Sequence, residues 1–352
     1  MKSPWYKQLF QHSAAKDFLL HRERAEQGDA ESQYQLALRL SSGHGTTADH
    51  AAAAHWYRQA AEQGHADAQN ALGLCYDEGT GVDRDPVEAV SWYHKAAEQG
   101  VAAAQYNLGL SYRKGEGVAR NVEESVRWFR LAAEQGYPDA EYSLGLAYYR
   151  GEGLPQDNGR AIKWLHKAAD KGEVNAMHRL ARALHKHAET KAQFRETAKW
   201  YRAAAEQGHP EAMFYLAELH TFGNGVPENF VEASTWLHKA AAEQHAPSQF
   251  ELGRRCLVGQ GMPTDPAAAV RWFQLAANQG NGPAQLRLGM CYLEGKGVTL
   301  DLGLAYKWFS LAANQGNREA AIERDRITGA LTREQMVEAR RRIAEFTATI
   351  PD

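Results

Sequence analysis

The sequence has little cysteine, and this scarcity narrows the class of protein. Three cysteines occur among 352 residues, too few for a disulfide framework. Cys75 and Cys291 fall at the same position of a repeat, six units apart, and Cys256 takes a position that other repeats give to tyrosine. We expect all three to be small buried apolar residues. This usage fits a reducing, cytoplasmic compartment.

Long apolar runs and a charge excess are also missing. No segment approaches the roughly 18 apolar residues of a membrane span. The first residues, MKSPWYKQLFQHSAAKDF, have no uninterrupted apolar run and no small-residue cleavage site, so we expect no signal peptide. The net charge is −3 with mixed signs, which argues against nucleic-acid binding. The sequence therefore predicts neither a membrane span nor a nucleic-acid partner.

Motifs for catalysis and for metal binding are missing as well. The sequence has no H-E-x-x-H, no Walker loop and no nucleophile-elbow serine. Its G-x-G pairs lie between two predicted helices and not after a strand, so they do not indicate a dinucleotide site. His94, His166 and His238 recur every second repeat, about 20 Å apart if helices pack at about 8–10 Å, and His185 and His187 face different ways on a helix. We expect a non-enzymatic protein with no cofactor and no metal site.

What the sequence does contain is a period of 36 residues. Eight of the nine tryptophans share one position of the repeat: Trp56, Trp92, Trp128, Trp164, Trp200, Trp236, Trp272 and Trp308. A period of this length is typical of stacked supersecondary units that pack on their neighbours. We expect each indole to be buried between helices and not to bind a ligand.

The period also predicts the domain organisation. Eight units span residues 28–316 as one elongated domain. Residues 1–27 form an N-terminal helical cap built from half a repeat, with residues 4–26 helical and Leu20 in the tryptophan position. Residues 317–352 form a C-terminal helical cap, with one helix at 317–327 and an amphipathic helix from Leu331 onward that Thr332 caps. Such caps cover the exposed ends of a repeat array.

The sequence of each unit predicts two helices joined by a loop. In Gly64–Gly100 the first helix covers about Ala66–Tyr76. Gly73, inside that helix, costs about 0.5–1 kcal/mol, and we expect close approach of two helix backbones to require it there. Asp or Asn precedes most second helices as an N-cap, at Asp49, Asp85, Asn121, Asp157, Asn229, Asp265 and Asp301. Glycine ends them in a left-handed conformation, at Gly28, Gly64, Gly100, Gly136, Gly172, Gly208, Gly280 and Gly316.

Two units depart from this pattern. In the fifth, the mid-helix glycine is Ala181, the loop glycines are His187 and Glu189, and Gln193 stands at the cap position. In the sixth, Gln244 replaces the final glycine. Either departure could bend the stack, or it could be sequence drift that the neighbouring repeats absorb.

The motif A-x-x-x-L-G-x-x-Y-x-x-G-x-G-V, followed by D-x-x-x-A-x-x-W-x-x-x-A-A-x-x-G, resembles the Sel-one-like repeat family, a relative of tetratricopeptide repeats. Six of the eight units match it well, and the first has Leu36-Ala37 in place of Leu-Gly. The resemblance implies an all-α fold, an α/α superhelical solenoid whose first helices line a concave face. Such proteins usually act as adaptors that hold other proteins. Some cysteine-rich relatives have been proposed to bind or hydrolyse β-lactams, but this chain lacks their paired cysteines.

If the first helices line a concave face, the residue two before the conserved leucine points toward it. This position holds Tyr34, Asn70, Tyr106, Tyr142, His178, Phe214, Phe250 and Leu286. Such a row suits a groove that grips an extended or helical peptide. Alternatively, these rings pack between adjacent repeats.

A companion set follows the mid-helix glycine in repeats three to five: Leu110, Arg113, Lys114, Leu146, Tyr149, Arg150, Arg182, His185 and Lys186. It makes the centre of the groove basic and aromatic, whereas Asp77 and Glu78 make its start acidic. This pattern predicts an acidic peptide or protein partner, unless the charges are merely solvated.

The sequence is therefore best interpreted as a scaffold that binds a protein or peptide in its groove. A regulatory adaptor and an immunity-type protein that neutralises a toxin are both open. The alternative is a hydrolase of a β-lactam-like or other small substrate with a cryptic site on the concave face.

Overall fold

A computed structural model describes the backbone of residues 5–349 and the side chains of residues 16–347. Within these residues the chain is all α-helical, in 19 helices without a strand. The helices follow one another in consecutive pairs, and each pair corresponds to one 36-residue repeat. This arrangement confirms the all-α solenoid of eight repeats.

The helices fall into three groups. Preceding the repeats is α1 (Trp5–Glu26). The first helices of the repeats are α2 (Ala30–Ser42), α4 (Ala66–Glu78), α6 (Ala102–Lys114), α8 (Pro138–Arg150), α10 (Val174–Lys186), α12 (Pro210–Phe222), α14 (Ala246–Val258) and α16 (Gly282–Glu294). The second helices are α3 (His50–Glu62), α5 (Pro86–Glu98), α7 (Val122–Glu134), α9 (Asn158–Asp170), α11 (Lys191–Glu206), α13 (Phe230–Ala242), α15 (Pro266–Asn278) and α17 (Leu302–Asn314). After the repeats come α18 (Arg318–Thr328) and α19 (Arg333–Thr349).

The second helices begin where their capping residues predict. The Asp85 carboxylate accepts hydrogen bonds from the amides of Val87 and Glu88 at 3.0 and 3.1 Å, and all seven predicted Asp and Asn caps accept from the first turn in the same way. Each such cap contributes about 1 kcal/mol.

In the fifth repeat the N-cap differs from the predicted residue, Gln193. The N-cap of α11 is Thr190, three residues earlier, and it forms a capping box with Gln193. The Thr190 hydroxyl accepts from the amide of Gln193, while the side chain of Gln193 accepts from the amide of Thr190. As a result α11 has 16 residues, whereas the second helices elsewhere have 13.

Glycine ends the second helices as predicted. The eight predicted glycines all have a positive φ, between 81° and 94°. Gln244, at the same position of the sixth repeat, has a φ of 58°, the one positive value at a described residue other than glycine. A side chain in this conformation is strained.

The mid-helix glycine makes room for a side chain of the paired helix as well as for the predicted approach of its backbone. A Cβ on Gly109 would lie 2.7 Å from the ring of Phe129 on the second helix and 3.2 Å from the Ser125 carbonyl. Tyr93, Leu165, Phe273 and Phe309 fill the same place over the other mid-helix glycines. The missing Cβ therefore makes room for a large side chain of the paired helix.

The tryptophan prediction holds for half of the row. Trp128, Trp200, Trp236 and Trp308 are buried, but the other four indoles are only half-buried. A lysine ammonium lies over the ring of Trp92 at 3.7 Å, contributed by Lys95. The tryptophan position is thus not uniformly part of the core.

The helices outside the repeats match the sequence analysis in part. α1 packs on α2, but Leu20 is 45% exposed and does not fill a tryptophan position. Residue 4, which was expected to begin this helix, lies outside the described residues. At the other end, Thr332 caps α19, and the ring of Phe346 meets that of Trp308 edge-on at 5.6 Å. Cys75, Cys256 and Cys291 are all buried as free thiols.

The residues group into two compact units, Met1–Glu173 and Val174–Asp352. Repeats one to four belong to the first unit and repeats five to eight to the second. Among the described residues, no helix combines the length and the apolar character needed to cross a membrane.

Candidate functional site: the face of the first helices

The thirteen residues predicted to bind a partner all lie on first helices. Tyr34 lies on α2, and Tyr106, Leu110, Arg113 and Lys114 lie on α6. Tyr142, Tyr149 and Arg150 lie on α8. In the second unit His178, Arg182 and Lys186 lie on α10, Phe214 on α12 and Phe250 on α14. They are half-buried or exposed, apart from His178, which is buried.

Four members of the aromatic row pack between adjacent repeats, as the alternative interpretation held: Tyr34, Tyr106, His178 and Phe214. The Tyr106 ring lies 5.6 Å from Phe129 of its own second helix and 5.4 Å from Tyr137 at the start of the next repeat. Burial raises the pKa of Tyr106 above its ordinary value. In the first repeat Tyr34 lies 6.0 Å from Tyr57 and 4.7 Å from His65 in the same manner. These two tyrosine rings remain partly exposed, so they join repeats and still offer an edge at the surface.

The basic residues of the row are partly neutralised by the loops. The Lys114 ammonium lies 3.4 Å from the Glu116 carboxylate, and the Arg150 guanidinium lies 3.5 Å from Glu152. Exposed pairs of this kind contribute little to stability, but they lower the net positive charge of the first unit's surface. In the fifth repeat Ala188 stands at the position of this loop glutamate, and the glutamate of that loop is Glu189, one residue later.

The last residues of the first helices form a row, of which the sequence analysis used Glu78, Lys114, Arg150 and Lys186 but not the apolar members. All are exposed: Ser42, Glu78, Lys114 and Arg150 in the first unit, and Lys186, Phe222, Val258 and Glu294 in the second. Phe222 and Val258 are 67% and 72% exposed, the two highest values among the large apolar side chains of the described residues. Aligning the repeats at Lys114 would have revealed both residues.

A glutamine pair within each of several repeats was also missed. The Gln63 side chain donates to the Gln33 side chain at 2.7 Å, and Gln33 donates to the Ala25 carbonyl at 3.2 Å. The same pair recurs as Gln69–Gln99, Gln105–Gln135, Gln249–Gln279 and Gln285–Gln315. In the fourth repeat Glu141 and Lys171 replace it, with a distance of 2.7 Å. The first-helix glutamine of each pair is buried and its partner is exposed. The pair ties the two helices of one repeat, and the buried amide also donates to a carbonyl of the preceding helix, as Gln69 does to Ala61.

One group of side chains in the second unit has the composition of a metal site. The ligand atoms of His178, His209 and Glu211 all lie within 4.8 Å of one another. His209 is the N-cap of α12, and its ring lies 4.3 Å from the ring of His178. Sequence analysis missed this group because 31 residues separate the two histidines. Position in the repeat was the available signal, since Tyr34 stacks on His65 at the same two positions.

A serine and a histidine also meet in the second unit. The Nδ1 atom of His245 lies 2.8 Å from the hydroxyl of Ser248. His245 precedes α14 as its N-cap residue, and Ser248 is completely buried. This pair is therefore part of a helix start and offers no accessible nucleophile.

Comparison with known proteins identifies the repeat. The Sel1 repeat model matches eight consecutive segments, residues 30–65, 66–101, 102–137, 138–173, 174–209, 210–245, 246–281 and 282–317. A Sel1 repeat protein from Oxalobacter formigenes is 32% identical, with a TM-score of 0.67 over 93% of this chain and 91% of that one. A protective antigen of uropathogenic Escherichia coli with an SLR fold is 28% identical, with a TM-score of 0.57 over 94% of both chains. Among curated proteins there is no match.

Proposed function

Because this chain belongs to the Sel1 repeat family, whose members are generally protein-interaction scaffolds, we propose that it binds a protein or peptide partner through the exposed face of its first helices. A regulatory adaptor and an immunity-type protein that holds a toxin would both use such a surface. The proposal concerns a binding function and assigns no catalytic step.

The observation that carries this proposal is the contrast between two positions of the repeat. The conserved leucine position, as in Leu72, Leu108 and Leu144, is completely buried in every repeat. The last position of the first helix is exposed in every repeat, and it holds polar, acidic, basic and apolar side chains in different repeats. Stacking explains the first position but places no demand on the second. The second position is therefore free to select a partner.

The first unit favours a partner with acidic and apolar groups. Lys114 and Arg150 end α6 and α8, and Arg113 lies beside them with its guanidinium 5.5 Å from the ring of Phe129. The loop carboxylates of Glu116 and Glu152 compete for the first two cations. An acidic partner would displace them, and the partly exposed edge of Tyr106 would supply apolar contact.

The test is a comparison of two charge-reversed variants of the full chain. The double variant Lys114→Glu and Arg150→Glu changes the proposed surface. The control Lys163→Glu changes an exposed lysine on the second helix α9. Proteins from the host that are cross-linked to the wild type are identified, purified and titrated against all three chains by calorimetry.

We expect the double variant to lose at least about tenfold in affinity, which is about 1.4 kcal/mol, while the control binds like the wild type. Equal binding by the double variant would contradict the proposed surface. Equal loss in the control would show that net charge matters and not this face.

A further inference from the structure

His178 and His209 form the ring contact that Tyr34 and His65 form in the first repeat, but together with Glu211 they add a chemistry that stacking does not require. His178 lies on α10, in the row that holds tyrosine or phenylalanine in five other repeats. His209 is the N-cap of α12, and Glu211 lies in its first turn. Their ligand atoms fall within 4.8 Å of one another. Two imidazoles and a carboxylate at this spacing form a common ligand set for zinc.

The buried nitrogen of His178 is the independent sign of a ligand. His178 is 1% exposed, and its Nε2 atom has no hydrogen-bond partner in the described part of the chain. The nearest carboxylate oxygen, from Glu211, lies 3.6 Å away, beyond hydrogen-bond distance. A buried polar atom without a partner is unfavourable, and a metal ion between these two groups would satisfy both.

We propose that His178, His209 and Glu211 bind a divalent transition-metal ion of the Zn²⁺ class. Metal–ligand bonds of about 2.0–2.2 Å require the three groups to move closer together, and the Glu211 side chain, 51% exposed, can do so. Three protein ligands leave one position for water or for a side chain of a bound protein.

The protonation states suit this role. Burial lowers the pKa of His178 to about 3 and also lowers that of His209, so both imidazoles are neutral at pH 7. Arg179 and Arg182 contribute to the low pKa of His178. Their positive charges oppose a cation as well, and the Glu211 carboxylate offsets them in part.

One existing hydrogen bond, from the Ala212 amide to His209, must break when a metal ion binds. The Nδ1 atom of His209 accepts from the amide of Ala212 at 3.3 Å, so coordination through Nε2 would place the proton on Nδ1 and release this cap. Val101, Tyr137 and His245 begin the equivalent helices without a side-chain cap. The helix start therefore does not depend on this hydrogen bond.

The first repeat supplies a matched control. It holds Tyr34, His65 and Asp67 where the second unit has His178, His209 and Glu211. Its tyrosine offers no ring nitrogen, and His65 instead lies 2.9 Å from Glu31. The variant His178→Tyr thus gives the second unit a side chain that this position accepts elsewhere.

The experiment is calorimetric titration of the full chain with ZnCl₂, after treatment with a chelator, for the wild type, His178→Tyr, Glu211→Gln and His94→Ala. The last variant disrupts a surface pair of His94 and Glu98 and controls for adventitious binding. We expect one zinc ion per wild-type chain, at least about tenfold weaker binding in the first two variants, and no change in the third. With Co²⁺ in place of zinc, the visible spectrum of the wild type should show the absorption of a tetrahedral Co²⁺ site. This absorption should be absent in His178→Tyr.

Circular dichroism confirms that each variant is folded. If His178→Tyr fails to fold, Glu211→Gln decides the question, because the side chain of Glu211 is half-exposed. Zinc binding that is unchanged in Glu211→Gln, or no binding by the wild type, overturns the proposal.

Discussion

Trp128 and Trp92 occupy the same position of neighbouring repeats, yet their surroundings differ. Trp128 is 7% exposed and packs in a cluster with Tyr93 and Leu108. Trp92 is half-buried, and the Lys95 ammonium lies over its exposed face. The apolar area that each indole removes from water must therefore differ, although both occupy the same position of the repeat.

We expect Trp128→Ala to lower the free energy of unfolding by about 3–5 kcal/mol, because it leaves a cavity in the core. Trp92→Ala should cost roughly half as much, because part of its ring is already in water. Denaturant unfolding followed by circular dichroism measures both. Equal losses would show that the whole tryptophan row has one role, and a loss near zero for Trp128 would exclude it from the core.

Gln244 offers a stabilising change at the residue scale. Its φ of 58° is the conformation that glycine adopts at this position in the other repeats, so Gln244→Gly should stabilise the chain by about 1 kcal/mol. The control is Glu243→Gly, whose φ of −80° gives glycine no advantage. An unchanged or lower unfolding midpoint for Gln244→Gly would mean that its side chain makes a compensating contact.

At the scale of helices, each glutamine pair ties the first helix of a repeat to the end of its second helix. The buried glutamine of the pair also donates to a carbonyl of the preceding repeat. The fourth repeat tests this role, because it replaces the pair with a charged one. Glu141 is buried, and one of its oxygens has no partner. Its other oxygen accepts from Lys171, which also donates to the Gly136 carbonyl at 2.8 Å. Burying a charge in place of a neutral amide carries a desolvation cost.

We expect the double variant Glu141→Gln and Lys171→Gln to be at least as stable as the wild type, by about 0–2 kcal/mol, because it restores the neutral pair. Lys171→Ala alone should destabilise by about 1–3 kcal/mol, since it leaves a buried carboxylate without its cation. Thermal and denaturant unfolding measure both changes. A double variant that is less stable than Lys171→Ala would contradict this role.

The helices could be predicted from the sequence because their causes are local. The Asp85 side chain caps the start of α5, and Gly100 adopts the left-handed conformation that ends it. Equivalent residues recur every 36 positions and mark most of the other second helices in the same way. The start of α11 was missed because alignment at the repeat position pointed to Gln193, while the capping box depends on Thr190. The glutamine pairs and the group at His178 were missed for another reason, namely that their partners lie about 30 residues away and only packing brings them together.

At the scale of the whole molecule, the two units share a fold but differ in their titratable groups. Four histidines of the second unit have a lowered pKa, chiefly through burial: His178, His185, His209 and His245. Among the described residues of the first unit, His21 has a lowered pKa. Burial of neutral imidazoles should make the second unit the more acid-sensitive one.

A histidine whose folded pKa is lowered adds stability that is fully present above its unfolded pKa of about 6.5 and is lost as the pH falls toward the folded value. For His178 that window extends from about pH 6.5 to about pH 3, with a loss of at most about 1.4 kcal/mol per pH unit. The raised pKa of Glu218 acts in the opposite direction, but it is a single group and the second unit has four histidines with a lowered pKa.

Hydrogen exchange of the metal-free chain, corrected for intrinsic rates, should therefore show that protection falls first in the second unit as the pH is lowered from 7.5 to 5.5. His178→Tyr should reduce this loss, and an equal loss in both units would contradict the prediction.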